Sequence, residues 1–304
     1  MSVLRICLFG RLRLARDDDG VEIKVTRTVQ GLLAFLLLER HRTHPREILV
    51  DLFWRDHPFQ QANNCLNTAL WRLRRVLEPA GVERGAYVAT TPTGEVGFND
   101  QSTYWLDVAV FEGHLEQALA IPPAIATLDN VSGLEHALSL YTGDLLEGFY
   151  DSWALHERER LRNLRLRGLA YLMRYYHSQG EFETSIAYGQ RILDDDPIRE
   201  EIHRDLMRIH AESGQRSLAV RQYEVCRDVL AAELGIAPMP ETQRLYAQIA
   251  ASGSALTSPG PLAPLAGPTM VGHLHLALRQ LEQTRQLIQQ MLQLMETGQS
   301  ADSR

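Results

Sequence analysis

The chain has 304 residues, of which 45% are hydrophobic and 23% are charged, and its formal net charge is −7. This length suits two or three domains, and the composition is that of a globular protein with a buried core. We expect a cytoplasmic protein without a membrane partner, because the sequence has no run of about 18 apolar residues and begins with alternating apolar and polar residues. Three widely spaced cysteines, Cys7, Cys65 and Cys226, indicate neither a disulfide framework nor a zinc site.

The acidic balance is uneven along the chain. Residues 1–105 contain 14 basic and 12 acidic side chains, whereas the remaining residues contain 17 basic and 26 acidic ones. Because partners respond to the charge of a region and not to the total, net acidity does not exclude nucleic-acid binding by the first part of the chain.

The first part of the chain predicts a small sheet followed by two helices. The segments "VLRICLFGRLRLA" and "VEIKV" alternate apolar and polar residues on either side of "RDDDG", whose Asp and Gly suit a tight turn. A strongly apolar helix is expected from about Thr28, with Thr28 as its N-cap. A second helix, in "HPREILVDLFWR", has Pro45 near its first turn.

The segment 62–77, "ANNCLNTALWRLRRVL", predicts a third helix with two different faces. Leu66, Leu70, Leu73 and Leu77 recur at spacings of four, three and four, which places them on one buried stripe. The opposite face and its flanks carry amide, hydroxyl, indole and guanidinium groups in place of the Glu and Lys typical of a solvated helix. Asn and Arg can read base edges bidentately. A solvated surface and a protein-docking surface remain alternatives for this helix alone.

The segment "YVATTPTGEVGF" completes the pattern with two short strand-like arms around residues 91–94, which predicts a hairpin. A sheet, three helices and a terminal hairpin are typical of a winged helix, in which the third helix enters the major groove. The phrases "LFGRLRL", "LLAFLLLERHRTHPREILVDLFW", "LNTALWRLRRVL" and "DVAVFE" resemble the OmpR-type winged-helix domain of the Streptomyces antibiotic regulatory proteins.

The following residues are similar to the bacterial transcriptional activator domain of that family, through "YTGDLLEGF", "ERERLRNLRLRGLAYL", "DDDPIREEIHRDLMRIHAESGQ" and "YEVCRDVLAAELGIAP". Independently, Gly180 and Gly214 are 34 residues apart and each lies between two helix-like segments, which is the tetratricopeptide period. Helical hairpins of this kind must stack to bury their faces. The acidic excess of this part predicts a concave surface that suits a basic partner segment.

The last residues form a separate pattern that the resemblance does not cover. Residues 252–269 contain four prolines and three glycines and predict a linker. A heptad stripe follows that Arg285 interrupts, which predicts a helix that self-associates, packs back on its own chain or frays. The oligomerisation candidates on this stripe are Leu274, Leu278, Leu281, Ile288, Leu292 and Met295.

The predicted fold is therefore mainly α with a small β component. It comprises a winged-helix domain at 1–106, a tetratricopeptide-like activator domain at 107–251, a linker at 252–269 and a coiled-coil-like helix at 270–298. The resemblance implies a sequence-specific transcriptional activator that binds double-stranded DNA, assembles as a homodimer or higher oligomer and contacts RNA polymerase.

The resemblance also implies which residues touch DNA. The base-reading candidates are Asn64, Thr68, Trp71 and Arg75, and the phosphate or flank candidates are Asn67, Arg72, Arg74, Thr90, Thr91 and Thr93. Two features depart from the family pattern. Trp71 replaces a small or polar residue, and we expect it to pack partly against the core. The wing carries Glu95 and threonines in place of basic residues, which predicts weak phosphate anchoring and a shallow salt dependence.

No enzyme, metal or cofactor is predicted. His41 and His44 lack the spacing and partners of a metal site, and no nucleotide-binding loop or catalytic motif is present. The alternative function is a protein-interaction adaptor built on the helical repeats, with a winged helix that no longer binds DNA. Trp71 and the uncharged wing favour the adaptor slightly, whereas the arginines and asparagines of the third helix favour DNA binding more strongly.

Overall fold

The computed structural model describes residues 3–16, 25–78 and 81–251. The elements of its first part are β1 (Leu4–Cys7), β2 (Arg13–Arg16), α1 (Arg27–Leu38), α2 (Arg46–Trp54), α3 (Phe59–Leu77), β3 (Val88–Thr90), β4 (Val96–Phe98) and β5 (Tyr104–Leu106). Three helices and a terminal hairpin, preceded by a small sheet, form the winged helix that the sequence predicts.

The opening sheet differs from the prediction in the position of its turn. The first predicted strand folds back on itself, so that β1 and β2 pair antiparallel with Leu4 opposite Arg16. The chain reverses near Gly10, whose φ of 76° is easily reached only without a side chain. The predicted turn at "RDDDG" and most of "VEIKV" lie outside the described residues. On its other edge β1 pairs parallel with β5, which returns after the wing.

The helix boundaries show three smaller differences. Helix α1 begins at Arg27 after Thr26 in extended conformation, so Thr28 lies inside the helix and the prediction of an N-cap at Thr28 was wrong. Pro45 precedes α2 directly, as expected for a residue that fixes φ at the first turn. Helix α3 begins three residues earlier than predicted, at Phe59 after Pro58.

The second part of the described chain is helical. Its elements are α4 (Asp107–Leu119), a 3₁₀ turn (Pro123–Ile125), α5 (Leu128–Leu140), α6 (Ser152–Ser178), α7 (Phe182–Asp195), α8 (Glu200–Glu212), α9 (Arg216–Leu234) and α10 (Pro240–Ala251). Helices α4 and α5, α6 and α7, and α8 and α9 pack as successive pairs. Gly180 and Gly214 have φ of 77° and 79° in the turns of the last two pairs, which confirms the tetratricopeptide-like hairpins.

The winged helix and the helical part share a hydrophobic core. Phe9, in the β1–β2 turn, packs edge-on against Phe111 of α4 with 5.2 Å between ring centroids. The Asp107 carboxylate accepts hydrogen bonds from the backbone N–H groups of Leu8 and Phe9 at 2.8–3.0 Å. Phe9 also forms a β-bridge with Leu145. The domain boundary at 106/107 remains a prediction, and the residues on its two sides are joined by packing and by hydrogen bonds.

An ion-pair group strengthens this junction. Glu112 of α4 lies between Arg40, which follows α1, at 2.9 Å, and Arg160 of α6, at 2.5 Å. The Glu112 side chain is only 15% exposed, so the two guanidinium groups compensate a carboxylate that burial would otherwise destabilise. The contact ties the winged helix to two helices of the second part.

The linker and the heptad stripe predicted after residue 251 lie outside the described residues. The predictions for 252–269 and 270–298, including the six oligomerisation candidates, therefore remain predictions. Among the residues that are described, no helix is long and apolar enough to cross a membrane.

Candidate nucleic-acid interface

Helix α3 is oriented by its leucine stripe. Leu66, Leu70, Leu73 and Leu77 are at most 3% exposed and pack in the core, as predicted. Burying four leucine side chains contributes several kcal/mol in total, at roughly 1.5–3 kcal/mol each. This burial fixes the rotation of the helix, so the residues opposite the stripe must point away from the core.

The four base-reading candidates come together on that outer face. Asn64, Thr68, Trp71 and Arg75 are all exposed. The Thr68 hydroxyl donates a hydrogen bond to the carbonyl oxygen of Asn64 at 2.9 Å, which leaves the oxygen of Thr68 available as an acceptor. The Asn64 amide side chain has no hydrogen-bond partner among the described residues, so both its donor and its acceptor face outward.

Trp71 does not pack against the core. Its side chain is 57% exposed, and the guanidinium carbon of Arg75 lies 5.3 Å from the centre of its ring. The expectation of partial packing was wrong, because position 71 lies opposite the leucine stripe and the nearest available contact is the residue one turn further on. A cation–π contact of this kind restricts the rotamers of Arg75.

Two flank candidates have different surroundings. Arg72 is exposed and has no hydrogen bond or ion pair within the described residues, so its charge is free. The side-chain oxygen of Asn67 accepts a hydrogen bond from Arg46 at 2.5 Å, which leaves the Asn67 NH₂ group outward as a donor. Arg46, the first residue of α2, was missed from the sequence because it is brought to α3 only by the packing of the two helices.

The Arg74 side chain donates its hydrogen bonds to the wing. Its Nε and Nη2 atoms both donate to the carbonyl oxygen of Val88 at 3.1 Å, and Nη2 also donates to the Thr90 hydroxyl at 2.7 Å. The structure therefore places Arg74 and Thr90 in a contact that fixes β3 against α3. Phosphate binding by both residues stays a prediction, and these contacts already use part of their hydrogen-bonding capacity.

Glu78 makes a second connection to the wing. Directly after α3, its carboxylate accepts hydrogen bonds from the backbone N–H groups of Gly85, Tyr87 and Val88 at 2.9–3.1 Å. A carboxylate that accepts several backbone N–H bonds is well satisfied without a basic partner. Glu78 therefore fixes the segment that leads into β3. Within the described residues it forms no ion pair with the neighbouring arginines.

The hydroxyl groups of the remaining wing candidates form hydrogen bonds within the turn between β3 and β4. The hydroxyls of Thr91 and Thr93 are 2.7 Å apart, and the Thr91 oxygen accepts a hydrogen bond from the Glu95 N–H. Glu95 in turn accepts from the Thr43 hydroxyl at 2.5 Å. The tip of the hairpin thus carries Glu95 and threonines and no basic side chain, as the sequence indicated.

His44 also fixes the wing, through its backbone and through its ring. The backbone of His44 exchanges two hydrogen bonds with Val96 of β4, at 2.8 and 2.9 Å, and its ring packs on Phe35 with 4.9 Å between centroids. The ring is 4% exposed, and its Nε2 atom has no partner among the described residues. Burial lowers the pKa of His44, and the Arg42 charge lowers it further. Neutral His44 is therefore the form that fits the folded wing.

A cleft of about 520 Å³ lies between α3 and the wing. Its walls include four arginines, Arg46, Arg74, Arg75 and Arg84, and one carboxylate, Glu78. Arg84, like Arg46, was not a candidate from the sequence, because it lies in the connection between α3 and β3. The combination of a helix with outward amide and guanidinium groups and an adjoining arginine-lined cleft can receive a polyanion with base edges.

The described residues contain no group of histidine, cysteine and carboxylate side chains that could hold a metal ion. The outward groups of the interface are hydrogen-bond donors, hydrogen-bond acceptors and guanidinium charges.

Comparison with known families agrees with this architecture. Residues 20–94 match the model of the transcriptional regulatory protein C-terminal domain, and residues 106–250 match that of the bacterial transcriptional activator domain. Residues of both regions also align with single relatives. The regulatory protein AfsR of Streptomyces coelicolor is 28% identical over 255 residues, which is 84% of this chain and 25% of AfsR. The transcriptional regulatory protein MoaR1 of Mycobacterium tuberculosis is 29% identical over 228 residues, covering 72% of this chain and 71% of MoaR1.

The chain therefore carries a transcriptional regulatory protein C-terminal domain followed by a bacterial transcriptional activator domain, and it is similar to the regulators AfsR and MoaR1. This two-domain order is the one that the sequence predicts from its resemblance to the Streptomyces antibiotic regulatory proteins. The chain spans only about a quarter of the length of AfsR. Among solved structures, EmbR of Mycobacterium tuberculosis, determined in complex with a low-affinity phosphopeptide, has the same fold. Its TM-score is 0.71 at 22% identity, over 83% of this chain and 66% of EmbR.

Proposed function

We propose that this protein is a sequence-specific DNA-binding transcriptional activator whose helix α3 enters the major groove. The observation that carries the proposal is the outward face of α3, where Asn64, Thr68, Trp71 and Arg75 project from a helix fixed by four buried leucines. The matches to domains of transcriptional regulators and the similarity to AfsR and MoaR1 support the same function.

The residues divide into two roles under this proposal. Asn64 and Arg75 have both the geometry and the free groups for bidentate contacts, Asn to adenine and Arg to guanine. The Thr68 oxygen is left as an acceptor, and Trp71 restricts the position of Arg75 through the 5.3 Å ring contact. Arg72, Arg84 and the remaining donors of Arg46 lie around this face and suit phosphate contacts.

The wing contributes less charge than a basic wing would. Thr91 and Thr93 bond to each other, and Arg74 is engaged with β3, so the hairpin offers hydroxyl groups without counterion release. A single copy then binds weakly, and binding of two copies side by side compensates through effective concentration. We propose a homodimer or higher oligomer on DNA, and contact of the helical part with RNA polymerase.

The test is a mobility-shift titration with the DNA upstream of the protein's own gene. We expect Arg75→Ala combined with Asn64→Ala to abolish specific retardation while circular dichroism shows unchanged helix content. Arg221→Ala is the matched control, since Arg221 lies exposed on α9 and has no partner among the described residues. Unchanged retardation by the double variant would remove these residues from the interface.

The adaptor function is the second candidate, and the exposed Trp71 is the observation that favours it, because large exposed aromatic side chains often anchor protein contacts. The same titration separates the two candidates. Failure of the unmodified protein to retard its upstream DNA at low ionic strength and micromolar concentration would leave the adaptor.

A further inference from the structure

A second large groove lies in the helical part, away from α3 and the wing. It measures about 510 Å³ and lies between the end of α4, the middle of α6 and the start of α8. Leu119, Ile121, Pro123 and Ile202 form apolar walls. Volumes of about 300–1,000 Å³ are typical of pockets that take small organic molecules.

Guanidinium groups border these apolar walls. Arg167, Arg174 and Arg199 all line the groove, against a single carboxylate, Glu201. Arg199 is engaged by Asp196 at 2.8 Å and lies 3.7 Å from Glu201, so those charges compensate each other. The groove therefore has a basic character inside a region that is acidic overall.

Two of the arginines are available to a ligand. Arg167 has no hydrogen bond or ion pair within the described part of the chain. Arg174 is 54% exposed and lies 3.5 Å from Asp205, which is itself engaged by Arg208 at 2.8 Å. An acid group placed between Arg167 and Arg174 would meet one free guanidinium and one that is only loosely paired.

One residue that lines the groove carries an unpaired, buried hydroxyl. Tyr171 is 5% exposed, and its hydroxyl oxygen has no hydrogen-bond partner among the described residues. Tyr171 is four residues after Arg167 and three before Arg174, so the three side chains share one face of α6. A buried hydroxyl without a partner costs free energy that a ligand can recover by accepting its hydrogen bond.

We propose that this groove binds a small organic acid, a carboxylate or phosphate monoester carried on an apolar body. Arg167 and Arg174 bind the acid group, the Tyr171 hydroxyl donates a hydrogen bond to the ligand, and the walls at Leu119 and Ile202 cover its apolar part. The site is independent of DNA binding and gives the helical part a ligand of its own. Three elements meet there, so a bound ligand also fixes α8 against α4 and α6.

The first experiment titrates the full chain with anilinonaphthalene sulfonate, a fluorescent organic anion with an apolar body. We expect saturable binding, weakened by about tenfold or more in Arg167→Glu, since a repulsive charge replaces a charge-assisted contact. Arg221→Glu, the same change on an exposed part of α9, should leave the affinity unchanged. Equal affinities of the two variants, or a fluorescence change that does not saturate, would overturn the proposal.

The second experiment separates a binding role of Tyr171 from a structural one. Tyr171→Phe should weaken probe binding several-fold and leave the thermal midpoint of the free protein unchanged or slightly higher, because the deleted hydroxyl has no partner there. A lower thermal midpoint with unchanged probe binding would show that the hydroxyl serves the fold alone, and would contradict its role in the site.

Competition identifies the acid. Benzoate and phenyl phosphate should each displace the fluorescent probe, and the stronger competitor identifies the carboxylate or phosphate source. Benzyl alcohol, which has the apolar ring without the charge, should not compete at the same concentration. Displacement by benzyl alcohol as effective as by benzoate would show that the groove selects apolar bodies only, and the role of Arg167 and Arg174 would be lost.

Discussion

The arginines of "RLRR" in α3 illustrate how position within a helix decides the role of a charged residue. Arg72 projects freely, Arg74 donates three hydrogen bonds to the wing, and Arg75 lies over Trp71. Successive residues are about 100° apart on a helix, so neighbours in sequence face different surroundings. The resemblance implied a DNA contact for all three, with Arg75 at base edges and with Arg72 and Arg74 at phosphates or flanks.

We predict that Arg74→Ala affects stability and that Arg72→Ala affects DNA binding. Removal of Arg74 leaves the Val88 carbonyl and the Thr90 hydroxyl without their donor, and should lower the free energy of unfolding by about 1–3 kcal/mol. Removal of Arg72 should leave stability unchanged and reduce the slope of log affinity against log salt by about one. Urea unfolding and salt-dependent DNA titrations measure the two quantities. A destabilised Arg72 variant, or an Arg74 variant of normal stability, would reverse these roles.

His44 makes a pH-dependent contribution. Its pKa is lowered in the folded protein from the ordinary value of 6.5, chiefly by burial, so below that pH the unfolded chain binds a proton that the folded chain excludes. Stability due to this residue is therefore present above about pH 6.5 and is lost as the pH falls. In urea unfolding at about pH 7.5 and about pH 5.5, His44→Phe should lose less stability than the unmodified protein. An equal loss would mean that other groups cause the acid sensitivity.

Among whole elements, α3 could be predicted because the spacing of its leucines indicates both the helical period and the buried face. The start of α1 and the β1–β2 turn could not. Thr26 and Thr28 are both suitable N-caps by residue type, and only packing decides between them. The turn at Gly10 contains no two-residue hairpin motif. Backbone hydrogen bonds to Asp144 and Glu147 hold it instead, and these residues are more than 130 positions later in the sequence. Arg46 and Arg84 were missed from the interface for the same reason, because tertiary packing brings them there.

Close helix approach gives a matched test in the helical part. A methyl group at Gly189 of α7 would lie 2.6 Å from Leu206 of α8 and 3.0 Å from Met173 of α6, whereas one at Gly113 of α4 meets nothing within 4 Å. We expect Gly189→Ala to lower the free energy of unfolding by about 1–3 kcal/mol through overpacking. Gly113→Ala should raise it by about 0.5–1 kcal/mol through helix propensity. Thermal unfolding distinguishes them, and stabilisation by both changes would show that α7 and α8 can separate without cost.

The whole described molecule is organised around the junction between its two parts. Phe9, Phe111 and Leu145 lie in one continuous hydrophobic cluster that also contains the core of the winged helix. The Asp107 carboxylate satisfies two backbone donors of the β1–β2 turn. A boundary drawn between 106 and 107 follows the change from strand to helix, yet separates groups that stabilise each other.

A truncation series should reveal this dependence. A fragment of residues 1–106 loses Asp107 and Phe111, and leaves the buried N–H groups of Leu8 and Phe9 without acceptors. We expect it to unfold at a lower urea concentration than residues 1–119, which retain α4. Circular dichroism gives both midpoints, and identical values would show that the winged helix is stable without its neighbour.

The sequence leaves three outcomes open for the heptad stripe beyond residue 251, namely self-association, packing back on its own chain and fraying, and we propose self-association. Truncation after Ser252 should lower the number of copies per particle measured by light scattering, because it removes the apolar positions from Leu274 to Met295. The residues of the helical part are unchanged by this truncation. The same number of copies per particle before and after truncation would contradict an oligomerising tail.

The joint at Asp107 and Glu112 has a consequence for operator architecture. Because the winged helix is fixed to its own helical part, two copies that pair directly through their helical parts would present their recognition helices at one separation and one angle. Inserting a single base pair between half-sites turns one of them by about 34–36° around the duplex axis, and five base pairs move it to the opposite side. Promoters bound by such a pair would therefore share the same rotation of one half-site relative to the other around the duplex axis, whatever bases lie between the half-sites.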